Sequence, residues 1–224
     1  MITLHNVTKQ YRVKTGIKTV LRHANLQVHK GQCVGVLGRN GAGKSTLIRL
    51  LGGAEHPTSG TVTRSMSVSW PLAFGGAFQG SLTGLDNLKF VCRIYGADIA
   101  QASRFVEDFA DLGDYLYEPV KKYSTGMRSR LAFGISMAVN FDCYLIDEII
   151  AVGDSRFHEK CHVELFENRR ASAKIIVSHN AHYILAHCSH VALIEDGELR
   201  VFDDPQEAVA IYTGVPTPTT TLSA

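Results

Sequence analysis

The chain has 224 residues, 45% apolar and 20% charged, with a net charge of +2 at pH 7. That length holds one large α/β domain, or a core with a lobe inserted in it, and the composition is that of an ordinary globular protein. Nothing in the near-neutral charge demands nucleic acid or an acidic membrane surface as partner, and no apolar run reaches the roughly 18 residues that crossing a bilayer takes.

The opening Ile2-Thr3-Leu4-His5-Asn6-Val7 alternates apolar and polar residues, which predicts a half-buried strand. Tyr11 follows. Lys14-Thr15-Gly16 predicts a turn, Val20-Leu21 and Leu26-Gln27-Val28 two further strands, and Lys30-Gly31 another turn. These short strands are expected to form an antiparallel sheet. Cys33-Val34-Gly35-Val36-Leu37 is a short apolar run read as a buried strand. Next comes Gly38-Arg39-Asn40-Gly41-Ala42-Gly43-Lys44-Ser45-Thr46, which fits the phosphate-binding loop G-x-x-x-x-G-K-[ST]. Leu47, Ile48, Leu50 and Leu51 then recur on a helical period up to Gly52-Gly53. Strand, glycine loop and helix is the order the chemistry needs. The loop's backbone N–H groups and the positive end of the helix bind a polyphosphate by geometry and field together. Lys44 is expected to reach the β- and γ-phosphates, and the Ser45 hydroxyl to ligate Mg²⁺.

Residues 54–80 read as loops and short strands, with turns at His56-Pro57-Thr58-Ser59-Gly60 and Gly75-Gly76. Thr83-Gly84-Leu85-Asp86 is a capping box. It opens a helix carrying Leu88, Val91, Ile94 and Tyr95 that stops at Gly96. A second helix is expected from Ile99 to Leu112 with Phe105, Val106, Phe109 and Leu112 on its apolar face, and a third after Gly126 with Leu131, Ile135 and Val139. A helical stretch over about 84–140 between α/β flanks predicts an inserted helical lobe. Asp142-Cys143-Tyr144-Leu145-Ile146-Asp147-Glu148 returns to strand chemistry, followed by a helix carrying Phe157, Cys161 and Leu165. Lys174-Ile175-Ile176-Val177-Ser178-His179 predicts another buried strand. Asp196-Gly197 between two apolar runs predicts a hairpin, and Pro205 opens a last helix to about Tyr212. The Thr/Pro-rich tail 214–224 is expected to be disordered. The N-terminus lacks a signal-peptide profile. The five cysteines (Cys33, Cys92, Cys143, Cys161, Cys188) are scattered and lack metal-ligand or C-x-x-C spacing, so reduced, mostly buried thiols of a cytosolic protein are expected.

Beyond the loop, four groups carry possible chemistry. Asp147 at the end of an apolar strand can hold Mg²⁺, and the adjacent Glu148 can orient and deprotonate an attacking water. His179, at the end of a buried strand, either senses a γ-phosphate or is structural. Ser124-Thr125-Gly126-Met127 is either an anion-binding helix start or a plain N-cap. Tyr11 either stacks on adenine or packs.

The order of these motifs, phosphate loop, Tyr123-Ser124-Thr125-Gly126-Met127, Leu145-Ile146-Asp147-Glu148, Ala151-Val152-Gly153-Asp154 and Ser178-His179, resembles the ATP-binding subunit of an ABC transporter over about residues 2–212. The resemblance implies an α/β P-loop ATPase fold with an N-terminal antiparallel β subdomain and an inserted helical subdomain. The expected boundaries are a single domain at 1–213, with the core at 1–82 and 141–213, the helical part at 83–140, and a tail at 214–224. It implies two copies sandwiching two ATP molecules, with Ser124 and Gly126 of one copy facing the ATP held by Gly38, Arg39, Asn40, Gly41, Ala42, Gly43, Lys44, Ser45 and Thr46 of the other. It also implies Mg²⁺ on Ser45 and Asp147, Glu148 as catalytic base, His179 as switch, Asp154 at the dimer seam and Tyr11 as adenine stacker. Leu82-Thr83-Gly84-Leu85-Asp86-Asn87 and the run 147–154 resemble bacterial polysaccharide exporters, of capsule, O-antigen or teichoic acid, and the short chain fits the capsule type. The implied partners are a second copy, a membrane permease and, through it, a lipid-linked glycan, with no nucleic acid. The implied location is the cytoplasmic face of the bacterial inner membrane. Thr125, Met127 and Gly153 depart from the family pattern. Gln79 lies too close to Thr83 to match the family's Q-loop glutamine, whose place falls near Ala73 or Phe74.

Overall fold

The computed structural model of the chain describes residues 1–72, 78–147 and 154–214. They form two compact units, Met1–Val68 with Ala173–Ala224, and Ser69–Ser172. The turn expected at Gly75-Gly76 and the tail beyond Gly214 lie outside the described residues.

In the first unit β1 (Ile2–Val13) pairs antiparallel with β2 (Gly16–Val28) on one side and β4 (Ser59–Arg64) on the other. Ile2, Leu4 and Val7 are all buried. Strict alternation would point Val7 the other way. The register slips between Leu4 and Val7, at Asn6 with φ 51°, and this irregularity turns Val7 back to the core side. The two strands expected at 20–21 and 26–28 are one strand, β2. β1 pairs with it at Leu21, Ala24 and Leu26 across register shifts, and the Arg22 N–H donates to the Gly197 carbonyl at 2.7 Å. Ser59 and Gly60, expected in a turn, open β4 because they pair with β1.

β3 (Cys33–Gly38) runs parallel to β7 (Ala173–Val177) on one side and β8 (His190–Glu195) on the other. β9 (Glu198–Phe202) returns antiparallel to β8 through Asp196 and Gly197, whose φ values of 47° and 83° are what a two-residue hairpin turn requires. The helix α1 (Lys44–Gly52) buries Leu47, Ile48, Leu50 and Leu51 and ends on left-handed Gly53, as its sequence predicts. β7 stops at Val177, two residues before the expected end. There the Ser178 hydroxyl accepts the Asn180 N–H at 3.0 Å, and the Asn180 side chain caps α6 (Ala181–His187). α7 (Pro205–Thr213) starts with proline behind an Asp204 cap.

The second unit holds α2 (Gly84–Tyr95), α3 (Ile99–Ala110) and α4 (Thr125–Ala138). It also holds β6 (Cys143–Asp147), bordered by the strand β5 (Val68–Pro71), and α5 (Ser155–His162), which continues as a π-helical stretch Val163–Asn168. The expected single helix through Phe157, Cys161 and Leu165 is therefore two helical types, although all three residues are buried. Leu88 and Cys92, four apart, are the wholly buried apolar residues of α2. Ile94 lies off that face and is 59% exposed, while Tyr95 stays half exposed against the rings of Trp70 and Phe141. α3 ends at Ala110, short of Leu112, because Asp111 adopts φ 50°. α4 starts at Thr125, and Val139 is its extended cap residue.

One buried hydroxyl ties several of these pieces. Tyr144, fully buried, donates to the Val139 carbonyl (3.2 Å) and accepts the Phe141 N–H (3.2 Å) and the Arg169 Nε (2.8 Å). Arg169 also donates to the Met137 carbonyl at 2.5 Å and pairs with the Glu164 carboxylate. Tyr144→Phe strands these partners without changing shape. It should cost about 1–3 kcal/mol of unfolding free energy, read from urea denaturation midpoints at unchanged slope.

Candidate phosphate site and signature helix

Among the α-helices of the structure, α2 to α7 each begin with a side chain that accepts one of the helix's own N–H groups: Thr83, Asp98, Ser124, Asp154, Asn180 and Asp204. α1 does not. Its N-cap is Gly43, with φ 114° and no side chain to fold back. The first N–H groups of α1 are therefore left for an external acceptor, and an anion is what fits them. Gly41, at φ 81°, turns the loop ahead of them. A Cβ on Gly43 would lie 2.7 Å from a Val20 methyl, so glycine is also what lets β2 pack against the loop. Lys44 folds its ammonium across the loop and donates to the carbonyls of Gly38 (2.7 Å) and Arg39 (3.3 Å). Arg39, Asn40, Gly41 and Ser45 are exposed, Ala42 is half-buried and Thr46 is buried. A cavity of about 570 Å³ opens beside the loop, lined by Lys18, Arg22 and Arg39 and also by Glu195 and Asp196.

The parallel register sets Val36 opposite Val177. His179 and Gly38 each lie two residues further on, so the exposed imidazole stands at the same end of the sheet as the loop. Tyr11 lies in β1, half-buried. Its hydroxyl donates to the Glu55 carboxylate at 2.6 Å and lies 3.3 Å from the Thr46 hydroxyl, while Arg49 donates to both hydroxyls at 3.3 Å. The Lys9 ammonium sits 5.1 Å from the Tyr11 ring centroid. Tyr11 is thus anchored at its tip by residues of the phosphate-loop helix and its C-terminal extension. Sequence reading missed Arg49 and Glu55, which carry no motif.

In the second unit Ser124 is the N-cap of α4, its hydroxyl accepting the Met127 N–H at 3.2 Å. That leaves the hydroxyl proton and a second lone pair for another partner. Ser124, Gly126 and Met127 line a cavity of about 400 Å³ with Tyr115 and Arg130. Asp154 caps α5 through Phe157 N–H (2.9 Å) and binds Arg130 of α4 at 3.0 Å. The Phe157 N–H first, and then the Arg130 charge, hold the Asp154 carboxyl below the usual range. Arg130 also lies over the Phe157 ring at 5.2 Å, so it clasps the starts of α4 and α5. It escaped sequence reading because a 24-residue gap separates it from Asp154. Asp147 is the last residue of β6, half-buried. Gln79 is exposed, and its backbone is tied to the buried Asn87 side chain. Glu148 and Gly153, together with Ala73 and Phe74, lie outside the described residues. Among the described residues no group of acidic, His or Cys side chains forms a ready metal cluster, and no helix is long and apolar enough to cross a membrane.

The family profile described as ABC transporter matches residues 21–151. The chain is similar to the ATP-binding protein BexA of Haemophilus influenzae, 58% identical over 95% of this chain and 98% of that protein. It is similar to the capsule polysaccharide export ATP-binding protein CtrD of Neisseria meningitidis serogroup B, 54% identical over 96% of this chain and 100% of that protein. Among solved structures it resembles the dimeric ATP-binding cassette MJ0796 in a post-hydrolysis state bound to ADP and Pi. The TM-score is 0.77 and the identity 21%, over 90% of this chain and 98% of that one.

The cluster at Tyr11 also sets a pH dependence. The Tyr11 hydroxyl first, then Arg49 and Lys9, hold the Glu55 carboxyl below its ordinary value. A depressed folded pKa stabilises the fold above the unfolded value of about 4.3, and that contribution is lost as pH falls through the folded value. Glu55→Gln should lower stability at pH 7 by less than about 1 kcal/mol, as for a solvent-screened pair. The difference from the parent should close below about pH 4, as read by melting across a pH series.

Proposed function

The chain belongs to the ABC transporter family, and from that premise we infer its work: it is the ATP-hydrolysing, nucleotide-binding subunit of an exporter of capsular polysaccharide. The observation that carries the nucleotide site is the uncapped start of α1 behind Gly43, with Lys44 folded over the loop. The close relatives named for capsule polysaccharide export carry the cargo.

In this reading the residues 38–46 bind the phosphates through backbone N–H groups, and Lys44 exchanges its loop carbonyls for the β- and γ-phosphates. The Ser45 hydroxyl and the Asp147 carboxylate hold Mg²⁺, hard oxygen donors of the type that ion takes. The ion neutralises phosphate charge when bound. Glu148 accepts the proton of the attacking water. His179 holds the γ-phosphate end, and the Tyr11 ring stacks on adenine. Catalysis is then mostly positioning and electrostatics.

One chain carries one phosphate loop and one signature helix. A complete site therefore takes two copies, each offering its Ser124 hydroxyl and Gly126 N–H to the ATP of the other, with Asp154 at the seam. Phosphate release reopens the pair. The opening drives a separate permease that moves a lipid-linked glycan outward at the cytoplasmic face of the bacterial inner membrane. The helical part at 83–140 and the loop near 74–79 receive the permease, on the core formed by 1–82 and 141–213.

Glu148→Gln should reduce phosphate release by on the order of a hundredfold or more, the usual weight of a general base, with ATP still bound. A parental rate would remove Glu148 from that role. Lys44→Ala should weaken nucleotide binding by about ten- to a hundredfold, the loss of one charged hydrogen bond, measured by titration calorimetry. Pull-down from detergent-solubilised membranes should recover a polytopic permease.

A further inference from the structure

Cys33 and Cys188 are 155 positions apart in the chain, yet their sulfurs lie 3.7 Å from each other. Both sites are pinned by backbone. Cys33 opens β3, and its carbonyl accepts the N–H of Ser189 at 3.0 Å. Cys188 closes α6, donating its own N–H to the Ile184 carbonyl at 2.9 Å. α6 lies so close to β3 that a Cβ on Gly35 would meet Ile184 at 2.7 Å and the Cys188 sulfur at 3.2 Å. The two thiols are thus held in contact, with sulfurs that would close to roughly 2.0 Å in a disulfide.

The two sulfurs are also unequal. Cys33 is partly exposed and Cys188 is buried. The Cys188 thiol hydrogen bond first, and the Lys174 ammonium after it, hold the Cys33 thiol below its ordinary value against the effect of burial. Lys174 is the residue opposite Cys33 in the β3–β7 register. The same contact, together with burial, pushes Cys188 up. Cys161, by contrast, is buried and pushed up to about 12. A partly exposed thiol with a lowered pKa in contact with a buried one whose pKa is raised is the arrangement of an attacking and a resolving cysteine.

We propose that Cys33 and Cys188 form a dithiol site that reacts with hydroperoxides and closes as an intrachain disulfide. The Cys33 thiolate attacks the terminal oxygen of ROOH. The O–O bond breaks, the alkoxide leaves and takes a proton as ROH, and Cys33 becomes a sulfenic acid. The Cys188 sulfur then displaces that oxygen. The S–S bond forms, the S–O bond breaks, and hydroxide leaves with the Cys188 proton as water. The two thiols supply two electrons, and the peroxide is reduced to an alcohol and water. A dithiol reductant reverses the bond by exchange.

The staple sits at the amino end of β3. Gly38 is five residues further on, about 17 Å at the usual rise per residue, so nucleotide binding is left intact. It fastens the far end of α6, the helix that follows His179. Oxidation therefore slows turnover by holding the segment that His179 moves with. This last step rests on the role given to His179 above; the disulfide itself does not.

The test treats the full-length chain with hydrogen peroxide, denatures it, alkylates it with iodoacetamide and reads intact and peptide masses. Two thiols should escape alkylation, a Cys33–Cys188 crosslinked peptide should appear, and Cys92, Cys143 and Cys161 should remain alkylated. The oxidised chain should melt several degrees higher, because the bond closes a loop of more than 150 residues. Cys33→Ser and Cys188→Ser should each abolish the crosslink and the melting shift, and Cys188→Ser should leave a dimedone-reactive Cys33. No crosslink in the parent, or a two-thiol loss that survives either variant, overturns the site. With the crosslink formed, phosphate release should fall several-fold with KM unchanged and recover with dithiothreitol. A crosslinked chain with parental turnover keeps the dithiol site and refutes its link to His179.

Discussion

Backbone amides bind an anion only where nothing else has claimed them, and the rest of the first unit is arranged around that condition at the start of α1. Among the described residues six other α-helices each satisfy one of their first N–H groups with a capping side chain, and α1 does not. Its glycine cap gives up only about a few tenths of a kcal/mol relative to a capping side chain. In exchange the loop keeps donors for a ligand. The surroundings then follow. β3 must end at the loop, so it is central and flanked by parallel β7 and β8. Gly43 admits Val20, so the antiparallel sheet approaches the loop through β2.

The second unit solves a related problem differently. The start of α4 is capped by Ser124, so its amides are already partly satisfied. What Ser124 retains is a hydroxyl proton, a directional donor suited to a single phosphate oxygen. Met127 lines the adjoining cavity with Tyr115. Arg130 ties Asp154 to the same helix and lies over the Phe157 ring.

The phosphate loop, the capping box at Thr83, the Asp196-Gly197 hairpin and the Pro205 helix start could all be read from the chain by itself. Each is a contract among a few contiguous residues whose φ angles, caps and hydrogen bonds are local. The same locality explains the misread limits. β2 is one strand because β1 pairs with it on both sides of its polar middle and at Ala24 within it, and β7 stops where Ser178 and Asn180 turn the chain into α6. Ile94 falls at helical spacing yet is exposed, because hydrophobicity says nothing about which side of a helix meets a neighbour.

Composition and motif order determined the family, the fold class and the ligand chemistry, since those depend on residue types at fixed short spacings. Only the tertiary structure decided which distant groups meet: Arg49 and Glu55 on Tyr11, Arg130 on Asp154, Arg169 on Tyr144, and Cys33 on Cys188. Side-chain hydrogen bonds and thiol contacts act over a few ångströms, and which groups come within that range is set by sheet register and helix packing. Both are properties of the folded chain as a whole and leave no periodic trace along it.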